Sequence, residues 1–342
     1  MEISEIVDET EQNLAQNVAQ NDAQNDAPSK QNIELLENWR KSTHWGQVIM
    51  GPPGAGKTTY CKAMKKVMPE LRVNSRQVCW INLDPANDIP PPKSVDDETI
   101  RPDIDISDLV CLEDVMENTG LGPNGGLLHC MDIIFNNIEW LTNKLLTKYS
   151  KHYLLFDIPG QVELNTQNHS SLKKIVDELS YRKTLDIRLA AVHLVDATYC
   201  IDPSKYLSAI MVSLSTMIHM EMPHVNVLSK LDLAEQNDAD FDLEFYTDLF
   251  DLERLLDQDN RVMSKRHRRF LERIAEIITD YSLVKFIPMS IQSVESLEKV
   301  VQACDVSNGF FSVEGGAATS AMQLPQGYDS EYIREMQEKF GF

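Results

Sequence analysis

One stretch of the chain has the residue types and spacing of a phosphate-binding loop. Residues 51–58 fit the pattern G-x-x-x-x-G-K-[ST] at every fixed position. Glycines let the backbone turn so that successive N–H groups point at phosphate oxygens, at the positive end of the following helix. Lys57 would reach the outer phosphates, and the Thr58 hydroxyl would bind Mg²⁺. The residues predicted to line this loop are Gly51, Pro52, Pro53, Gly54, Ala55, Gly56, Lys57, Thr58 and Thr59.

Two acidic residues end predicted strands on the side where such a loop binds its ligand. A strand-like run over 77–83 leads to Asp84, and a second run over 152–157 ends in Asp157. Ligands of open α/β sheets bind at the carboxyl ends of the strands, so both carboxylates could hold Mg²⁺. For Asp84 an ordinary Asp-Pro turn is an equally good explanation. For Asp157 the preceding phosphate loop favours the metal site.

The turn that follows Asp157 carries further polar groups. The backbone amide of Gly160 could sense a terminal phosphate, and Gln161 and Glu163 could orient or deprotonate an attacking water. The sequence therefore predicts Lys57, Asp84, Gln161 and Glu163 as candidate catalytic residues, with Thr58, Asp84 and Asp157 as the metal ligands.

A later strand, over 225–228, leads into Ser229-Lys230-Leu231-Asp232, which resembles the guanine-binding pattern N-K-x-D. The carboxylate of Asp232 could accept hydrogen bonds from guanine N1–H and from its 2-amino group, which adenine does not offer. The stem of Lys230 would lie along the base. Ser229 replaces the expected Asn, so base selection should depend more heavily on Asp232.

A Gly- and Pro-rich segment over 120–126 separates two predicted helices. It is either a plain connector or a tight tip that holds the side chain of Asn124, and the residues alone favour the connector. After it, apolar residues recur at helical spacing and predict one amphipathic helix: Ile134, Ile138, Leu141 and Leu145.

Composition excludes several classes of protein. The formal net charge of −21 over 342 residues disfavours direct binding to nucleic acid or anionic lipid. The six cysteines include no C-x-x-C pair, which argues against a zinc site and is typical of a reducing compartment. No apolar run approaches the ~20 residues of a membrane span, and a signal peptide is not evident. We therefore expect a soluble, intracellular protein.

The alternation of strands and helices predicts an α/β fold of the P-loop NTPase class, with a mostly parallel sheet flanked by helices. We expect a disordered polar extension over 1–42, a nucleotide-binding domain over 43–312 with a helical insertion at about 233–281, and a mobile tail over 313–342. Within the tail, Tyr332, Met336 and Phe340 recur at helical spacing, which predicts a helical docking segment over 331–342. The basic cluster over 265–269 could dock an acidic partner, but a solvated helix face is favoured.

From about residue 45 to 309 the chain resembles the GPN-loop GTPase family. The segments that carry the resemblance are Gly51–Thr59, Asn82–Asn87, Gly122–Leu127, Phe156–Leu164, His193–Asp196 and Leu228–Asp232.

The resemblance implies a GTPase that uses GTP/GDP and Mg²⁺ and in which Asp84, Gln161 and Glu163 position the attacking water. It also implies a homodimer, or a heterodimer with another GPN-loop GTPase, in which Asn124 reaches into the partner's active site in place of an arginine finger. The family further suggests a cytoplasmic protein that shuttles to the nucleus. There it would act on RNA polymerase II subunits or assembly factors during assembly or nuclear import, and not on nucleic acid or membranes.

Two other functions remain open from the sequence. A small-molecule or nucleic-acid kinase could share the phosphate loop, but it leaves the segment 229–232 unexplained. A module that binds GTP with negligible hydrolysis is also compatible, because turnover depends on where side chains are placed and not only on their types.

Overall fold

The protein is built on one parallel sheet with helices on both faces, as predicted. The computed structural model describes residues 30–71, 75–87, 100–161, 171–180, 185–234, 243–249, 252, 264–281, 284–310 and 330–340. Within these ranges seven parallel strands lie in the order β3-β2-β4-β1-β5-β6-β7. The strands are β1 (His44–Met50), β2 (Val78–Asn82), β3 (Ile104–Asp105), β4 (Tyr153–Asp157), β5 (Ile187–Asp196), β6 (His224–Ser229) and β7 (Phe286–Pro288).

The helices cover both faces of this sheet. They are α1 (Lys30–Trp39), α2 (Lys57–Val67), α3 (Leu112–Thr119), α4 (Pro123–Asn136), α5 (Ile138–Lys148), α6 (Ser171–Ser180), α7 (Pro203–Met220), α8 (Leu231–Ala234), α9 (Leu243–Asp248), α10 (Lys265–Tyr281), α11 (Val294–Asn308) and α12 (Ser330–Phe340). Short 3₁₀ turns lie at Met68–Glu70, Ile106–Asp108 and Ala197–Ile201.

The strand sequences are apolar almost throughout because both faces are buried. In β1, Ile49 belongs to the core on one face, while Val48 and Met50 belong to the core on the other. This alternation follows from the two-residue repeat of a strand, and continuous apolar runs are typical of parallel sheets covered on both sides. The carboxyl ends of β1, β2, β4, β5 and β6 therefore meet at one edge, where the predicted site residues lie.

Two helices that flank the predicted domain pack on it through aromatic side chains. Residues 30–39 form α1, although 1–42 were expected to be disordered; Trp39 is 1 % exposed and donates from Nε1 to the carbonyl of Leu185 at 2.7 Å. Residues 330–340 form α12, and Tyr332 and Phe340 are buried against the core. Residues 1–29 and 311–329 lie outside the described residues.

The amphipathic helix expected across 134–145 is two helices. The backbone at Asn137 leaves helical geometry, with φ −113° and ψ 34°, between α4 and α5. The Asn137 side chain donates to the carbonyl of Ile133 at 2.8 Å, so it competes with the helical backbone for that acceptor. Spacing of apolar residues could not reveal this break, since Ile134 and Leu141 are both buried.

Parts of the predicted insertion are described. They are α9, Leu252 and α10, whose first residues carry the basic cluster 265–269 on a mostly exposed face. All six cysteines are free thiols, and Cys111 is the one that is only partly buried. Across the described helices, none has both the length and the apolar character needed to cross a membrane.

Candidate nucleotide-binding site

The phosphate loop joins β1 to α2 and turns through glycines in left-handed geometry. Gly51 has φ 135°, and a Cβ there would lie 2.4 Å from the carbonyl oxygen of Leu194, so only glycine fits. Gly56, at φ 95°, immediately precedes the first residue of α2. The loop and the first turn of α2 bring together the predicted residues from Gly51 to Thr59.

Lys57 lies inside this loop. Its side chain is 8 % exposed, and Nζ donates to the carbonyls of Gly51 at 3.2 Å and Pro52 at 3.4 Å. Burial lowers the pKa of Lys57, while the nearby carboxylates of Asp157 and Asp84 act in the opposite direction. A buried ammonium held only by neutral carbonyls favours an anionic ligand.

The turn after β4 closes against the phosphate loop at Gly160. A Cβ on Gly160 would lie 2.4 Å from Lys57 Nζ and 3.0 Å from the backbone nitrogen of Pro53. The absence of a side chain therefore lets the backbone of this turn reach the lysine that the phosphates are expected to contact. That the Gly160 amide senses a terminal phosphate stays a prediction.

The predicted metal ligands Asp157 and Thr58 are neighbours, with Asp84 near them. Asp157 is 0 % exposed, and neither of its carboxylate oxygens has a hydrogen-bond partner among the described residues. Burial raises the pKa of Asp157 to about 7, while the Thr58 hydroxyl and the Lys57 ammonium lower it. Burial also raises the pKa of half-buried Asp84.

These groups fit Mg²⁺. The ion prefers oxygen ligands and is usually bound through one or two carboxylates together with substrate phosphates. A buried carboxylate without a partner, a neighbouring hydroxyl and a second carboxylate provide that set. No cluster of three or more His, Cys, Asp or Glu occurs within the described ranges, so the phosphates would have to complete the coordination.

Two asparagines that the sequence analysis did not assign to the site lie beside Thr58. Asn87 donates from Nδ2 to Thr58 Oγ1 at 3.0 Å, and the same nitrogen is 3.4 Å from Asn82 Oδ1. Asn82 ends β2 and Asn87 follows the turn that begins at Asp84. Both belong to the segment Asn82–Asn87 that carries the family resemblance, which was the available signal.

Asn124 and Gln161 of the same chain are in contact. Gln161 donates from Nε2 to Asn124 Oδ1 at 2.9 Å. Asn124 is exposed in the first turn of α4, so the connecting loop is shorter than the predicted 120–126. Pro123 begins the helix because its fixed φ suits the first helical position and its missing N–H costs nothing there. Glu163 lies outside the described residues.

At the other end of the site, Lys230 and Asp232 are held by neighbouring polar groups. Lys230 donates to Asp196 Oδ2 at 2.7 Å. The aliphatic stem of Lys230 passes close to Gly56, since its Cε would lie 3.8 Å from a Cβ built on that glycine. Asp232 accepts from Ser290 Oγ at 3.2 Å and from Gln292 Nε2 at 3.4 Å. Asp196 was not predicted as a site residue, although an acid at the end of β5 was a usable signal.

Ser229 is placed differently from what its predicted role requires. It is 2 % exposed, and its hydroxyl points at the carbonyl oxygens of Ala55, 2.9 Å away, and Val195, 3.0 Å away. The side chain therefore ties β6 to the phosphate loop and to β5. A contact of Ser229 with the base stays a prediction.

Comparisons with known proteins agree on one family. Residues 49–310 match the family described as conserved hypothetical ATP binding protein. The chain is 44 % identical to GPN-loop GTPase 2 of Danio rerio over 306 residues, covering 87 % of this chain and 93 % of that protein. It is 42 % identical to GPN-loop GTPase QQT1 of Arabidopsis thaliana, covering 86 % and 97 %. It is 37 % identical to GPN-loop GTPase 2 of Saccharomyces cerevisiae, covering 78 % and 75 %.

A solved structure supports the fold. The apo form of the GTPase PAB0955 from Pyrococcus abyssi superposes with a TM-score of 0.58 at 21 % identity, covering 76 % of this chain and 96 % of that one. At this level of identity the likeness concerns the arrangement of strands and helices.

Proposed function

We propose, because the chain belongs to the GPN-loop GTPase family, that it binds GTP with Mg²⁺ and hydrolyses it to GDP and phosphate. One observation carries the proposal. The buried Lys57 ammonium lies at the phosphate loop with the buried carboxylate of Asp157, which has no hydrogen-bond partner among the described residues. A carboxylate able to read guanine, Asp232, lies at the other end of the same sheet edge.

Catalysis would depend on positioning and on stabilisation of charge. Lys57 and the loop amides would hold the phosphates. Thr58 and Asp157 would bind Mg²⁺, which when present neutralises charge on the phosphate oxygens. Gln161 would orient the attacking water, and Asp84 would face it from the turn after β2.

The choice between guanine and adenine rests on Asp232. An ionised carboxylate has about four lone-pair positions, and it accepts hydrogen bonds without donating any. Ser290 and Gln292 each occupy one oxygen of Asp232, which leaves a free position on both oxygens. Guanine presents two adjacent donors to such a group, and adenine presents an acceptor at N1. This arrangement supports GTP, in agreement with the names of the relatives, over the ATP in the name of the family description.

The activity is tested by phosphate release from GTP and from ATP, with and without Mg²⁺. We expect Mg²⁺-dependent release from GTP, slower release by Gln161→Ala with GTP still bound, and none by Lys57→Ala. Preference for ATP would contradict the assignment of Asp232 and favour a kinase. Tight GTP binding without release would favour a module that holds GTP with negligible hydrolysis.

We further propose that the protein acts as a dimer, with a second copy or with another GPN-loop GTPase, in which Asn124 acts on the partner's site. Asn124 is exposed at the start of α4, and Leu121 and Leu128 beside it are 41 % and 38 % exposed. In the dimer, Asn124 would give up its hydrogen bond to Gln161 of its own chain and make a contact with the partner's site instead.

Mixing two inactive variants tests this arrangement. In a mixed dimer of Lys57→Ala and Asn124→Ala, the chain with an intact phosphate loop can receive Asn124 only from its partner. Action on the partner predicts that activity returns on mixing. If no ratio of the two variants restores activity, Asn124 acts within its own chain.

The proposed cellular role is assembly or nuclear import of RNA polymerase II, carried out in the cytoplasm with shuttling to the nucleus. Its support is the family resemblance together with the net charge of −21, which favours protein clients over nucleic acid. Affinity purification of wild-type and Lys57→Ala protein from cells tests it. Polymerase subunits should accompany the wild type and be reduced with the variant.

A further inference from the structure

A chain of hydrogen bonds leads from the edge of the sheet to the Thr58 hydroxyl. Asn82, which is 0 % exposed, donates from Nδ2 to Asp105 Oδ2 on β3 at 3.1 Å. Its Oδ1 accepts from the backbone N–H of Asp84 at 3.3 Å and from Asn87 Nδ2 at 3.4 Å. Asn87 Nδ2 then donates to Thr58 Oγ1 at 3.0 Å.

The orientation of the Asn82 and Asn87 side-chain amides follows from this series of hydrogen bonds. The carboxylate of Asp105 accepts hydrogen bonds, so Asn82 must present its NH₂ group there and its oxygen to the opposite side. That oxygen already accepts from the Asp84 amide, and Asn87 must also face it with a donor. Asn87 therefore presents its NH₂ group, and not its oxygen, to Thr58.

This fixes what the Thr58 hydroxyl can do. A hydroxyl has one proton and two lone pairs, and Asn87 occupies one lone pair. The neighbouring carboxylate of Asp157, whose buried oxygens have no hydrogen-bond partner among the described residues, is available to accept the proton. One lone pair then remains for a cation.

We propose that Asn87 is a positioning residue that sets the Thr58 hydroxyl for binding Mg²⁺. This inference rests on the proposed function. The turn that carries Asn87 also carries Asp84, since the Asn87 N–H donates to the Asp84 carbonyl at 3.1 Å. This turn therefore orients the metal ligand Thr58 through Asn87. The same turn places Asp84, which is expected to face the attacking water.

The test measures how much Mg²⁺ is needed to retain bound nucleotide. Dissociation of a fluorescent GDP analogue is followed at buffered free Mg²⁺ concentrations for wild type, Asn87→Ala and the matched control Asn143→Ala, whose side chain is exposed on α5. Loss of one hydrogen bond predicts that Asn87→Ala needs roughly three- to tenfold more Mg²⁺ for half-maximal retention. The control should match wild type, and saturating Mg²⁺ should restore retention by Asn87→Ala.

A purely structural role would lower the melting temperature of the metal-free variant and leave its Mg²⁺ midpoint unchanged, and that result would overturn the inference. If Asn87→Ala fails to fold, Asn87→Ser, which is too short to reach Thr58, should shift the midpoint in the same direction. Asn87→Gln keeps the donor and should recover part of the loss. If Mg²⁺ has no effect on retention by wild type, both the inference and the proposed Mg²⁺ dependence are wrong.

Discussion

The two ends of the site differ in how far their polar groups are already partnered. At the phosphate end, Lys57 donates to carbonyls of its own loop, and the buried oxygens of Asp157 have no hydrogen-bond partner among the described residues. At the base end, Lys230 pairs with Asp196 and Ser229 is bonded to backbone carbonyls.

This difference indicates which parts of the site a ligand must complete. Buried charges without partners cost free energy, so the phosphate end gains most when phosphates and a cation bind. The base end is held in place by contacts within the protein and can select a base without rearrangement. The effects of substitutions at the two ends should therefore differ in kind as well as in size.

The largest effect on nucleotide affinity is expected from Lys57→Ala. The variant loses charge-assisted hydrogen bonds to phosphate, each worth about 1.5–3 kcal/mol, so GTP affinity should fall roughly a hundredfold. Calorimetric titration with GTP and Mg²⁺ measures this change. Affinity within a few-fold of wild type would remove the lysine from the phosphate site.

A smaller and more selective effect is expected from Asp232→Asn. Replacing one carboxylate oxygen by an amide puts a donor opposite the 2-amino group of guanine, so GTP affinity should fall roughly tenfold. Xanthosine triphosphate, which has a carbonyl oxygen at that position, should lose less or gain. Competition between the two nucleotides for the site measures the change, and equal losses for both would show that Asp232 does not read the base.

Ser229→Ala should leave nucleotide choice unchanged and reduce stability. The buried carbonyls of Ala55 and Val195 would lose their hydroxyl donor, at a cost of about 1–3 kcal/mol in the free energy of unfolding. Urea denaturation measures the stability, and the ratio of GTP to ATP affinity measures the selectivity. A change in that ratio with unaltered stability would show that Ser229 takes part in selecting the base.

The sequence alone predicted the parallel sheet and the phosphate loop, because glycine spacing and buried strands depend on local backbone geometry. It also predicted Asp157 as the acid at the end of β4. It could not predict the direction of the Ser229 hydroxyl, the hydrogen bond between Asn124 and Gln161, or the series of hydrogen bonds from Asp105 to Thr58. Each of these depends on neighbouring strands and helices that are distant along the chain. The helical spacing of Tyr332, Met336 and Phe340 predicted α12, but not that α12 packs on the core of its own chain. The helix α1 was not predicted, because Trp39 is the buried aromatic residue of an otherwise polar segment.

The most direct test of the contrast between the two ends is the pH dependence of stability of Asp157→Asn against wild type. Burial raises the pKa of Asp157 from 3.8 to about 7 in the metal-free protein, beside Lys57 and Asp84. Because the folded pKa lies above the unfolded one, the folded state binds more protons between these values. Wild type should therefore lose stability as pH rises from about 4 through 7. His193 and His224, whose pKa values burial lowers, add an opposite slope shared by both proteins.

Free energies of unfolding would be measured for both proteins without metal at pH 5 and pH 8, and again with Mg²⁺ and GDP. We predict that the advantage of Asp157→Asn over wild type grows by roughly 2 to 3 kcal/mol between the two pH values. With Mg²⁺ and GDP present, wild type should become the more stable protein, because the cation supplies the missing partner. An advantage that does not change with pH, together with equal stabilisation of both proteins by Mg²⁺ and GDP, would contradict the account.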